Sequence, residues 1–90
     1  MTPIQQILRP VFDQIDLSIF GATFSSQAVV RYIRHYHQHA YIDLLNACYS
    51  SEQPVRQAHS AIGRELKRRA LAHGYILTLK PTIYTRPSQN

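Results

Sequence analysis

The hydrophobic period of this chain changes at Gly74, and that change constrains the fold more than any other feature. Before it, apolar residues recur at helical spacing. After it, Tyr75, Leu77 and Leu79 alternate with Ile76 and Thr78. A period near 3.6 places a stripe on one side of a helix, and a period of 2 places alternate residues on one face of a strand. The expected fold is therefore mainly α with a small C-terminal β-hairpin, an α+β arrangement. At 90 residues the chain fits one domain over 1–87. Pro87 ends the pattern, and residues 88–90 are expected to fray.

Composition narrows the class. Hydrophobic residues make up 44% and charged residues 17%, which excludes a disordered tail and a coiled-coil rod. A single cysteine excludes a disulfide framework and a cysteine-rich zinc module. No apolar run reaches the roughly 18–20 residues that span a bilayer, so no membrane role is expected. The start, Met1-Thr2-Pro3-Ile4, lacks the basic and apolar blocks of a secretion signal, and the expected location is cytoplasmic.

The helical part divides into segments. Thr2 and Pro3 read as an N-cap and first helical residue. Ile4, Ile7, Leu8, Val11 and Ile15 follow at helical spacing, which predicts a helix over 3–16 with a bend at Pro10. Gly21 breaks the chain, Ala22-Thr23-Phe24 suits a very short strand, and Ser25 reads as the next N-cap. Val29, Ile33 and Tyr36 form one apolar face, and Phe24 and Val29 sit where a hydrophobic staple would. The stripe Tyr41, Leu44, Leu45, Cys48 is out of phase with it. Two helices, near 26–36 and 39–48, explain the slip better than a single helix buried nearly all round, which stays as the alternative. Residues 49–53 are polar and read as a loop. Pro54 opens a long helix that Gly74 closes. Beyond it, strands over 75–79 and 82–86 would meet at Lys80-Pro81, with no sign of a tight primed turn.

Charge is distributed unevenly. The chain carries ten Lys plus Arg against five Asp plus Glu. Residues 1–53 hold Arg9, Arg31 and Arg34 against four carboxylates, a net −1. Residues 54–90 hold seven cations against Glu65 alone, a net +6. Such asymmetry favours an anionic partner on one region. On a helical wheel, Val55, Ala58, Ile62, Leu66 and Ala70 share an apolar face of the long helix, flanked by His59 and Arg69. The opposite side carries Gln57, Ser60, Arg64, Lys67 and Arg68, flanked by Arg56. Leu71 also falls there, and its expected place is under the hairpin. Glu65 is spaced to pair with Arg69, leaving Arg64, Lys67 and Arg68 free. Hydrogen-bonding groups in the first turns followed by cations are what a helix needs to read base edges and hold phosphates. Solvation of a surface helix asks for a polar face as well, but not for so large an excess of one sign.

The order of elements is helix, short strand Ala22-Thr23-Phe24, helical pair capped by Ser25, basic helix containing Ala58-His59-Ser60-Ala61-Ile62-Gly63-Arg64-Glu65-Leu66, then the hairpin entered at Gly74-Tyr75-Ile76-Leu77. This order resembles a winged helix-turn-helix domain. The resemblance covers most of the chain and rests on element order. It implies a winged-helix-like fold, a recognition helix at about 54–73, and duplex DNA as partner. It also implies a regulatory role in transcription, with Lys80 and Arg86 on the wing as further phosphate contacts. One departure is plain: Ser25 to Gln53 is 29 residues, longer than a short helix plus turn. The resemblance is compatible with a homodimer.

Other chemistry is weakly signalled. His35, His37 and His39 straddle the expected helix break, and only Asp43 lies near them in sequence, so no metal site and no cofactor are expected. Cys48 lies on an apolar stripe and reads as a buried inert thiol, and His59 as a buried, hydrogen-bonded core residue. Most of the six tyrosines read as core residues with their hydroxyls outward. No carboxylate pair, nucleophile–base spacing or glycine-rich phosphate loop suggests an enzyme. The two functional readings are a small DNA-binding regulator and a non-enzymatic interaction module of the same fold. The second would dock an acidic partner or use the Tyr- and His-rich 32–49 region.

Overall fold

A computed structural model describes residues 2–87. The expected tail at 88–90 lies outside the described residues. Helix α1 (Pro3–Asp13) begins with a reciprocal cap. The Gln5 amide donates to Thr2 Oγ1 and the Thr2 amide donates to Gln5 Oε1, each at 3.1 Å. Pro10 lies inside α1 on its exposed side, so the expected bend does not split the helix. The helix ends earlier than the expected residue 16. Asp16 instead caps a 3₁₀ turn (Leu17–Phe20), accepting from the Ser18 amide at 2.9 Å.

Strand β1 (Thr23–Ser25) leads into α2 (Ser26–Tyr36), where Ser25 Oγ accepts from the Ala28 amide at 3.3 Å. Helix α3 (Gln38–Ala47) follows after a break at His37. The phase slip in the apolar stripe thus marks two helices. Helix α4 (Pro54–Ala72) is the longest element. Gly74 then adopts a positive φ of 81°, and the chain turns into β2 (Ile76–Thr78) and β3 (Ile83–Thr85). Leu79–Thr82 joins them, with Lys80 also at positive φ and a cis Lys80–Pro81 bond.

The three strands form an antiparallel sheet in the order β1-β3-β2. Phe24 and Leu77 both sit opposite Tyr84 in the register, so one sheet face carries a row of large side chains. The Phe24 and Tyr84 rings stack at 5.6 Å, and Tyr75 meets Phe24 edge-on at 5.8 Å. That row closes one end of a core built from Leu8, Val11, Phe12, Val29, Ile33, Leu44, Ile62 and Leu66. Helix α1 packs on α3 and α4, and α2 packs on both as well. Among the described residues no helix is long and apolar enough to cross a membrane.

The wheel for α4 needs rotation. Its buried side includes Ala58, Ala61, Ile62, Glu65, Leu66 and Ala70, while Val55 is 52% exposed. Val55 stands in the first turn of α4. Leu71 does not pack under the hairpin and is 47% exposed. Tyr36 is exposed at the end of α2 and Tyr49 in the following loop, so neither is a core residue. Tyr75 and Tyr84 are buried, and Tyr32 and Tyr41 are half-buried.

Candidate nucleic-acid interface

Helix α4 positions most of the candidate residues. Its buried side fixes its rotation, and Arg56, Gln57, Ser60, Arg64, Lys67 and Arg68 are all exposed on the remainder. The structure then divides this set. Arg56, Ser60, Arg64 and Lys67 line a cleft of about 940 Å³ between α4, the start of α2 and the β2–β3 hairpin. Its hairpin wall is Leu77, Leu79, Thr82 and Tyr84, and Ser26 and Gln27 close the α2 side. Among the described residues, no acidic side chain lines it. Among the described residues, Arg56, Arg64 and Lys67 make no ion pair.

Gln57 lies at a shallow concavity beside the cleft, together with Ser51, Glu52 and Gln53. This is the N-terminal end of α4, whose cap residue Gln53 accepts no side-chain hydrogen bond from the helix backbone. The first turn contains no acidic residue to complement the positive end of the helix dipole, and Arg56 in that turn donates to Gln53 Oε1 at 3.4 Å.

Arg68 is not free. It donates to the buried Glu65 carboxylate, Nη2 to Oε2, at 2.5 Å. Glu65 also accepts from Arg69 Nε at 2.9 Å, as its spacing suggests. Arg69 continues to α1, donating to Asp13 Oδ1 at 2.6 Å and to the Arg9 carbonyl at 3.1 Å. Burial opposes the charge on Glu65, yet the hydrogen bonds from Arg68 and Arg69 outweigh it and hold the carboxyl below its usual range. Burial likewise opposes the charge on Arg69, and its bonds to Glu65 and Asp13 leave it more firmly protonated. Both i, i+3 and i, i+4 spacings bring side chains together on a helix, so Arg68 shares the carboxylate expected to pair with Arg69 alone. Only the buried rotation of Glu65 lets one carboxylate serve both.

Lys80 stands exposed at the hairpin turn. Arg86 lies elsewhere. It borders a second cavity of about 410 Å³ with Phe12, Ile15, Asp16, Leu17, Arg69, His73, Tyr75 and Pro87. Asp16 there is held below the usual carboxylate range, chiefly by hydrogen bonds from the Ser18 amide and hydroxyl and to a lesser degree by Arg86 and His73. The antiparallel pairing explains the separation. Arg86 donates its amide to the Ala22 carbonyl at 2.7 Å, at the far end of β3 from the turn that carries Lys80.

His59 reaches the cleft from the half-buried flank of α4, sharing a 2.8 Å hydrogen bond between Nε2 and the Tyr41 hydroxyl. Burial, and then the charge of Arg34, lower its affinity for a proton. Arg34 stands over the Tyr41 ring at 5.8 Å, so α2, α3 and α4 meet at this polar seam. Cys48 is buried, and burial pushes its thiol up. His35, His37 and His39 belong to no grouping of metal-ligating side chains among the described residues. Comparison with protein-family models, with curated proteins and with solved structures finds no match for this chain.

Proposed function

We propose that the chain is a small winged-helix-like protein that binds duplex DNA through α4, without enzymatic chemistry of its own, as a regulator of transcription. The observation that carries this reading is the cleft beside α4. Among the described residues, three cations without ion pairs line it and no carboxylate does, and a hairpin forms its far wall. Phosphates of the DNA backbone are the ligands that such a concentration of unbalanced charge favours. The helix order and the β1-β3-β2 sheet are compatible with a winged-helix arrangement. In this reading Gln57 and Ser60, near the helix N-terminus, meet base edges. Arg56, Arg64, Lys67 and Lys80 meet phosphates. Arg68 contributes less, because Glu65 already neutralises it. Arg86 is left out, because it borders the second cavity.

Fluorescence anisotropy with a mixed pool of duplexes, across a salt series, tests the proposal. The unmodified chain is expected to bind at low salt. The triple variant R56Q/R64Q/K67Q should bind weakly, and the salt slope should fall by roughly 0.9 for each phosphate contact removed. Gln57→Ala should change sequence preference by about 1–3 kcal/mol and leave the slope nearly unchanged. No duplex affinity at low salt overturns the reading. Exposed Tyr36 and Tyr49 would then direct the search to a protein partner.

A further inference from the structure

Gly63 lies in the middle of α4 and lines the cleft between Ser60 and Lys67. A glycine here is a local defect in a helix, because it adds backbone freedom to the unfolded chain and contributes no side chain. Internal packing does not require it. A Cβ placed on Gly63 meets no atom within 4 Å beyond its chain neighbours and the adjacent helix backbone, and its φ is not in the left-handed region. The other two glycines differ, since both Gly21 and Gly74 sit at positive φ. The fold thus leaves room for a side chain at position 63, and the space left open there belongs to the cleft.

We infer that Gly63 is the point of closest approach for the sugar–phosphate backbone of the bound duplex. The inference rests on the DNA-binding reading and deepens it. A duplex presents a backbone strand between its major and minor grooves. With α4 in one groove and the hairpin over the next, that strand lies in the cleft separating them. Arg56, Arg64 and Lys67 supply the charge on the helix wall, and Thr82 offers a hydroxyl on the hairpin wall. A bare helix backbone at position 63 lets a phosphodiester chain sit deeper than any side chain would allow, which brings it within reach of both walls.

The test separates stability from binding, which here are expected to move in opposite directions. Gly63→Ala should raise the melting midpoint by roughly 3–8 °C, the gain expected when a mid-helix glycine in open space becomes alanine. The same variant should bind duplex DNA more weakly, and Gly63→Leu should lose about tenfold or more, with a shallower salt slope as phosphates are pushed out of reach. Anisotropy at two salt concentrations and thermal unfolding measure both. Undiminished affinity in both variants overturns the inference, as does a lower melting midpoint for Gly63→Ala, which would mean that the fold itself needs the glycine. In either case the triple variant R56Q/R64Q/K67Q shows separately whether α4 binds DNA at all.

Discussion

Glu65 shows how much one residue can decide. It is the single carboxylate on α4, it is buried, and it holds Arg68 and Arg69 at once. Arg68 is half exposed, so that half of the pair is worth little. Arg69 is mostly covered and ties α4 to α1 through Asp13 and the Arg9 carbonyl. Glu65→Gln should therefore cost on the order of 2–3 kcal/mol at neutral pH, read by urea unfolding. The pH dependence has a definite sign. The folded carboxyl titrates below its unfolded value of about 4.3. Its contribution is full above that value and is lost as the pH falls through the lower folded one. The gap between the native chain and Glu65→Gln should shrink on acidification through that window. A gap that stays constant would show that the charge is not what stabilises. His59 also titrates below its ordinary value when folded, so its contribution is present above about pH 6.5 and fades on acidification.

At the scale of the element, α4 is a helix with two obligations. One side must fill the core, and Ala58, Ile62, Leu66 and Ala70 are all at 0% exposure. The small residues let α4 approach its neighbours closely, and the large ones fill the space between. Ile62→Ala and Leu66→Ala should each cost about 2–5 kcal/mol, measured by urea or thermal unfolding. Costs near zero would mean that another side of α4 is buried, and the exposed set would lose its meaning with it. The other side carries the charge. Because the buried arc is turned toward Ala61 and Glu65, the flank facing the hairpin is Arg56, Ser60, Gly63 and Lys67, with Arg64 beside them. That rotation removes Arg68 from the cleft and places Gly63 in it.

Across the whole molecule, the cationic C-terminal half splits between two locations. Lys80 is carried by the hairpin turn, whereas Arg86 joins Asp16, Arg69 and His73 at the second cavity. Arg86→Ala should leave duplex affinity and salt slope unchanged, while Lys67→Ala should lower both, as anisotropy titrations would show. Equal losses from the two substitutions would mean that DNA contacts both locations, and the cleft would no longer be the reason for binding. The direction of β3 causes this division: its beginning adjoins the turn that carries Lys80, and the chain just past its end brings Arg86 to Ala22 and to the residues that follow α1.

The local signals in the sequence were strong wherever backbone chemistry spoke for itself. Thr2-Pro3, Ser25, Pro54 and Gly74 mark helix ends because caps, proline and positive φ are local requirements, and all four stand at such ends. The change of period predicted the hairpin, and the phase slip beyond Tyr36 predicted the break at His37. What the sequence could not supply was the environment beyond a few residues. The exposure of Val55, Leu71 and Tyr36 depends on which neighbours arrive, and helical spacing records only that residues share a side. The capping turn at Asp16 displaced the end of α1 because a side chain offered the backbone a competing partner. The bond from Arg69 to Asp13 spans 56 residues, so no local pattern announces it. The cleft belongs to this second kind of information. Its cations are written in one helix, but its far wall comes from a hairpin folded back beside it, and only the packed chain brings the two together.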